Sequence, residues 1–172
     1  MEIPVTSAAT YQQKDIEVGM ALDITGSMND YADGKRKIDA LKAAFEQFAN
    51  RLIPEQKTGT NRVRIGLAPY SSGINLGVYA ANASAGRSQD GCVTERKGGV
   101  IVDAPAATLP FMGKADNDDD IDNSDGSTPK NAYACPTARL VPLSDDRDQL
   151  IQAVNSFSAQ GWTAGHLGVQ WA

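Results

Sequence analysis

Asp23-Ile24-Thr25-Gly26-Ser27 places three oxygen-bearing side chains at alternate positions of one short polar stretch. On a tight turn such residues can converge on a point. One carboxylate with two hydroxyls is a hard-oxygen donor set, suited to Mg²⁺, Ca²⁺ or Mn²⁺ rather than to zinc or copper. A single negative charge leaves a divalent cation under-neutralised, with positions still held by water, so that it attracts an outside carboxylate as a further ligand. That is a binding device rather than a catalytic one. The same residue types also cap helices, and read by itself the string is more often a cap than a metal turn; the strand before it and the helix after it favour the metal reading. A second turn of related composition, Gly161-Trp162-Thr163, lies far downstream, ahead of another helical stretch.

The elements around these turns follow from hydrophobic period. Ile16–Leu22 reads as a strand buried on most of both faces, with Asp23 at its C-terminal end. Around Lys35–Leu52, Ile38, Leu41, Phe45, Phe48 and Leu52 recur at spacings of three and four. This is the apolar stripe of an amphipathic helix, and Pro54 marks its stop. Arg62–Tyr70 alternates Val63, Ile65 and Leu67 with Arg62, Arg64 and Gly66, the pattern of a half-buried strand, and Ile74–Tyr79 adds another after the turn Ser71-Ser72-Gly73.

From Ala80 to Arg139 periodicity fails and only Gly99–Val102 reads as a strand. A loop-rich stretch of this length is functional or mobile in most compact domains. Beyond it, Ser144 is the expected N-cap of a helix, with Asp145 and Asp146 in its first turn and an apolar face of Leu150, Ile151, Val154 and Phe157. Ala164–Ala172 begins a last helix. Strand, helix, strand, strand is the order of an α/β sheet with a crossover helix. In such sheets ligands gather at the C-terminal ends of strands, where Asp23 stands.

Composition narrows the function. The 172 residues carry 16 Lys+Arg against 21 Asp+Glu, a net charge of −5, which disfavours nucleic acid as a partner. The apolar stretches are too short to span a bilayer, and Met1-Glu2-Ile3-Pro4 has neither the basic nor the apolar region of a signal peptide. Six aspartates and one lysine between Lys114 and Gly126 carry that same net −5. This stretch reads as a solvated loop or as a calcium loop without EF-hand spacing. Two cysteines, Cys92 and Cys135, and one histidine cannot build a structural zinc site, and their spacing leaves a disulfide and two separate thiols both open. No enzyme class is favoured. His166 lacks a nucleophile elbow to serve and reads as a surface or packing residue, Trp162 and Trp171 read as packing, and no glycine-rich stretch has a phosphate-loop ending.

The combination of Asp23-Ile24-Thr25-Gly26-Ser27 with the distant Thr163 resembles a von Willebrand factor A domain. That family's metal-ion-dependent adhesion site has the form Asp-x-Ser-x-Ser plus a distant Thr and a later Asp; Thr25 stands here for the first Ser. More narrowly, the chain resembles the TadG-like pilus-assembly proteins of bacterial tight-adherence systems. The likeness runs through Tyr11–Glu17, Leu22–Met28, Val63–Tyr70, Cys92–Arg96, Cys135-Pro136, Leu140–Leu143 and Gly161–Ala172, most of the chain from Tyr11 onward.

The resemblance implies the N-terminal part of a Rossmann-like doubly wound α/β sheet of this type. Residues 16–79 would form the core, 80–139 a loop-rich insertion, and 140–172 a helix, the Gly-x-Thr turn and the start of the next helix. It implies a cation, Mg²⁺ or its Ca²⁺ or Mn²⁺ equivalent, on Asp23, Thr25, Ser27 and Thr163, and a partner protein that supplies a Glu or Asp carboxylate. The partner would be a pilus-assembly or surface component.

In the family the remaining acidic ligand follows a strand that would lie beyond Ala172. The resemblance therefore also implies a fragment, or a second chain that completes the sheet. It further implies a bacterial envelope protein with an N-terminal membrane anchor and this domain on the periplasmic or extracellular side. The resemblance thereby implies an oxidising compartment in which Cys92 and Cys135 would form a disulfide. The competing expectation is a structural assembly domain with a vestigial metal turn.

Overall fold

A computed structural model describes residues 15–53, 62–86, 88, 90–96, 112–114 and 135–172. Pro54, the Gly99–Val102 strand and the aspartates of residues 116–125 lie outside the described residues, as does most of the 80–139 stretch.

Strand β1 (Ile16–Asp23) pairs in parallel with β4 (Val63–Tyr70), in a register that runs from Ile16↔Val63 to Asp23↔Tyr70. Between them come a two-residue-per-strand hairpin, β2 (Tyr31–Ala32) with β3 (Lys35–Arg36), and helix α1 (Lys37–Leu52). The hairpin turns on Asp33 and Gly34, both at positive φ (51° and 78°), as the tightest two-residue connections require. It takes up Lys35 and Arg36, which the periodicity assigned to the helix.

On its other edge β4 turns sharply into β5 (Ile74–Asn75) and also pairs antiparallel with β8 (Val141–Ser144). Beyond β5, past the short helix α2 (Ala80–Ala83), come β6 (Cys92–Arg96) and β7 (Met112–Lys114). The sheet is therefore mixed. Ile74–Tyr79 is strand only at its first two residues and continues as a 3-10 turn at Gly77–Tyr79.

Two apolar clusters flank the sheet. One joins Leu22, Ile65 and Leu67 to Ile38, Phe45 and Ala49 of α1 and to Leu150, Val154 and Phe157 from helix α3 (Arg147–Asn155) and its C-terminal end. The other joins Ala68, Ile74, Leu76 and Val93 to Ala80 and Ala83 of α2, with Trp171 of helix α4 (Gly165–Trp171) packed against it. Leu67 and Ala68 are consecutive in one strand and belong to different clusters. Side chains alternate along a strand, so the clusters lie on opposite faces and helices cover both.

Two expectations are corrected here. Of β1's side chains only Leu22 is buried, and Ile16 is 49% exposed, because among the described residues β4 alone pairs with β1 and the strand's other edge is open. The N-cap of α3 is Asp146, whose carboxylate accepts from the Gln149 amide at 3.0 Å. Ser144 instead ends β8, and its hydroxyl accepts from the Asp146 amide at 3.1 Å.

Cys92 and Cys135 form a disulfide, with Cα atoms 5.6 Å apart, which ties the start of β6 to the segment that leads back into β8. Asn75 secures that segment a second time. Its side-chain amide donates to the Pro136 carbonyl at 2.9 Å, and its own carbonyl accepts from Leu140 at 2.8 Å.

Candidate metal centre

Because β1 and β4 are parallel, their last residues, Asp23 and Tyr70, reach the same end of the sheet. The chain must leave both strands there, and its polar exits converge. After β1, one Asp23 carboxylate oxygen accepts the Thr25 amide at 2.9 Å, an Asx turn that bends the backbone. A 3-10 helix follows at Gly26–Asn29. Thr25 is its N-cap by position but makes no side-chain capping bond. The capping reading of this string therefore does not hold. The Thr25 hydroxyl lies instead 3.2 Å from that of Ser27, with Thr25 only 1% exposed and Ser27 open to solvent.

The downstream turn docks directly onto this one. The Gly26 amide donates to the Gly161 carbonyl at 2.9 Å, and the Gln160 amide donates to the Ile24 carbonyl at 2.8 Å. The exit of β4 holds the same turn from the other side. The Trp162 amide donates to the Ser72 hydroxyl at 2.8 Å, and the Ala164 amide to the Ser71 carbonyl at 2.8 Å. Gly161 has φ +74°, and a Cβ there would stand 2.8 Å from the Ser72 Oγ. Only glycine suits that position on both counts. Thr163 thus sits on a turn fixed by backbone bonds to both strand exits, and its side chain faces solvent. Residues 23, 25, 27 and 163 lie on adjoining turns at one end of the sheet, although 136 positions separate Ser27 from Thr163.

Sequence reasoning missed Tyr70, Ser71 and Ser72 as parts of this neighbourhood. The Tyr70 ring lies against Gly165 and Gly168 of α4, where no side chain intervenes, at the strand end that it shares with Asp23. Burial, then the nearby Asp23 carboxylate, raise the phenol above its ordinary range. The available signal was indirect: once β1 and β4 are taken as parallel, the Ser71-Ser72-Gly73 turn must emerge beside Asp23.

One other expectation changes: Trp162 is 62% exposed rather than packed. His166 lies at the surface, as expected, 2.8 Å from Glu95 of β6.

The donor set fits a hard cation. Two oxygens in neighbouring coordination positions of Mg²⁺ or Ca²⁺ stand about 2.8–3.7 Å apart, given metal–oxygen distances of about 2.0–2.6 Å. The Thr25–Ser27 separation of 3.2 Å falls inside that interval. Among the described residues no three His, Cys, Asp or Glu side chains cluster so as to hold a metal ion; Asp23 is the one carboxylate of the Asp23–Ser27 turn. The chain matches no family model and no curated protein.

Proposed function

We propose that this chain is a metal-dependent adhesion or protein-binding module of the von Willebrand factor A type, on a doubly wound sheet, from a TadG-like pilus-assembly protein of the bacterial envelope. The observation that carries the reading is the seam from the Gly26 amide to the Gly161 carbonyl, which sets the Asp23–Ser27 turn against the turn bearing Thr163. Thr25, Ser27 and Asp23 would hold Mg²⁺, Ca²⁺ or Mn²⁺, with Thr163 beside them. The cation would supply a Lewis-acidic point of excess positive charge. A Glu or Asp of the partner protein would complete its ligands, which makes recognition specific for an acidic side chain and dependent on the metal.

The protein's own part is to fix the oxygens before the cation arrives, through the Asx turn at Asp23 and the clamp of Ser71 and Ser72 on the second turn. Binding rather than catalysis is the role this supports. The Cys92–Cys135 disulfide supports an oxidising compartment, and hence the periplasmic or extracellular side. The edge of β1 that no described strand pairs is compatible with a second chain that completes the sheet.

Titration of the protein with Mn²⁺, followed by the loss of the free-ion electron paramagnetic resonance signal, tests the site. Binding that Asp23→Ala and excess Mg²⁺ each abolish is expected. Mn²⁺ binding unchanged in Asp23→Ala would overturn the assignment.

A further inference from the structure

Ser71 is fully buried, and its backbone is satisfied: the amide donates to the Gly73 carbonyl at 3.0 Å and the carbonyl accepts the Ala164 amide at 2.8 Å. Its hydroxyl is different. Among the described residues the Oγ takes no hydrogen-bond partner, although its neighbour Ser72 uses the same group to accept the Trp162 amide. A buried hydroxyl has one proton to give and two lone pairs to fill, and native interiors seldom leave such a group without a partner.

The direction of the hydroxyl narrows what the partner could be. A Cβ built on Gly161 would lie 3.2 Å from the Ser71 Oγ, so this oxygen faces the glycine whose carbonyl receives the Gly26 amide. It therefore stands beside the turn that carries Thr163, the turn whose Gly161 carbonyl holds the Asp23–Ser27 turn. A charge-poor seat for a hard cation keeps several waters on the ion, and each bound water is a strengthened proton donor in need of an acceptor.

We propose that Ser71 is a positioning residue of the cation seat, its buried hydroxyl accepting a hydrogen bond from a water on the metal at the Gly161–Thr163 side. The inference rests on the cation reading and deepens it. It assigns to the exit of β4 a part in metal binding that the Asp23-Ile24-Thr25-Gly26-Ser27 string does not contain. Ser71 would orient a ligand without touching the ion, as acceptors behind metal ligands commonly do.

The test compares Mn²⁺ affinity and the water-proton relaxation enhancement of bound Mn²⁺ in the unaltered protein, Ser71→Ala, Thr94→Ala and Asp23→Ala. Thr94 on β6 is the control, since its hydroxyl is also buried and takes no partner among the described residues. Ser71→Ala removes an unpaired group and adds no volume, so the melting temperature without metal is expected to hold or rise. Its Mn²⁺ affinity is expected to fall about 10-fold, the low end for loss of such an acceptor. The relaxation enhancement is expected to shift in Ser71→Ala and to stay put in Thr94→Ala.

Equal affinity and equal relaxation in Ser71→Ala, with Asp23→Ala still abolishing binding, would overturn the role of Ser71 and leave the cation seat standing. Absence of any Asp23-dependent binding in the unaltered protein would overturn both. A fall in affinity matched by Thr94→Ala would show a general packing effect and overturn the positioning role.

Discussion

Gly161→Ala separates the backbone requirement of the second turn from its contact with the exit of β4. Gly161 has φ +74° and a would-be Cβ 2.8 Å from the Ser72 Oγ, whereas Gly34 has φ +78° and nothing within 4 Å. An alanine in the left-handed region costs roughly 1–2 kcal/mol at either position. At Gly161 the new methyl must also push aside the Ser72 hydroxyl, which is held by the Trp162 amide. Unmaking such a buried bond adds roughly 1–3 kcal/mol, for a total of roughly 2–5 kcal/mol.

Urea unfolding of the two variants, side by side, reads the difference. With a slope of about 1–3 kcal/mol per molar urea, the midpoint of Gly161→Ala should fall about 1 M further than that of Gly34→Ala. Equal midpoints would refute the close approach of the two turns, and with it the seam on which the metal site depends.

Reduction of the Cys92–Cys135 disulfide releases a loop spanning 43 positions, and loop-closure entropy for that length corresponds to a loss of about 4 kcal/mol as an upper figure. Unfolding with and without reductant should show a substantial part of that loss; identical midpoints would count against the cross-link's structural role. Tyr70 gives a pH dependence of definite sign. Its phenol is raised by burial and by Asp23 from the ordinary value of 10.0, so the fold retains this proton longer than the unfolded chain does. The resulting stabilisation is complete below pH 10.0 and is lost as pH rises through the raised value. In EDTA, the melting temperature should therefore fall more steeply in the alkaline range for the unaltered protein than for Tyr70→Phe, and parallel curves would contradict the burial of the phenol near Asp23.

Periodicity located the elements with strong patterns. In α1, Ile38 and Phe45 are buried and Leu41 and Phe48 are packed against the same cluster, as spacings of three and four require. Phe157 joins that cluster through α3's end in the same way. What escaped were features set by partners. The segment Val141–Ser144 contains Pro142, which argues against a strand, yet the ladder is irregular between the Ile65↔Ser144 and Leu67↔Val141 pairs, and the proline falls in that gap. The burial expected for β1 failed because burial depends on what pairs with its second edge, which is not written in the strand.

At the site, the Asp23–Ser27 turn was legible because its oxygens are close in sequence. Thr163 was singled out by the family resemblance and by its glycine turn. Ser71, Ser72 and Tyr70 were not, since their relevance arises only from the parallel register that carries β4 to the same end as Asp23. Asp33-Gly34 was a readable turn signal, but strands of two residues carry no period to flank it.

The most direct measurement is a crystal grown with Mn²⁺ and examined for anomalous scattering. The expected result is a peak within coordination distance, about 2.0–2.6 Å, of the Thr25 and Ser27 hydroxyl oxygens and close to the Asp23 carboxylate. Mn²⁺ found elsewhere, for instance among the aspartates of residues 116–125, with no peak between Thr25 and Ser27, would contradict the adhesion-site reading.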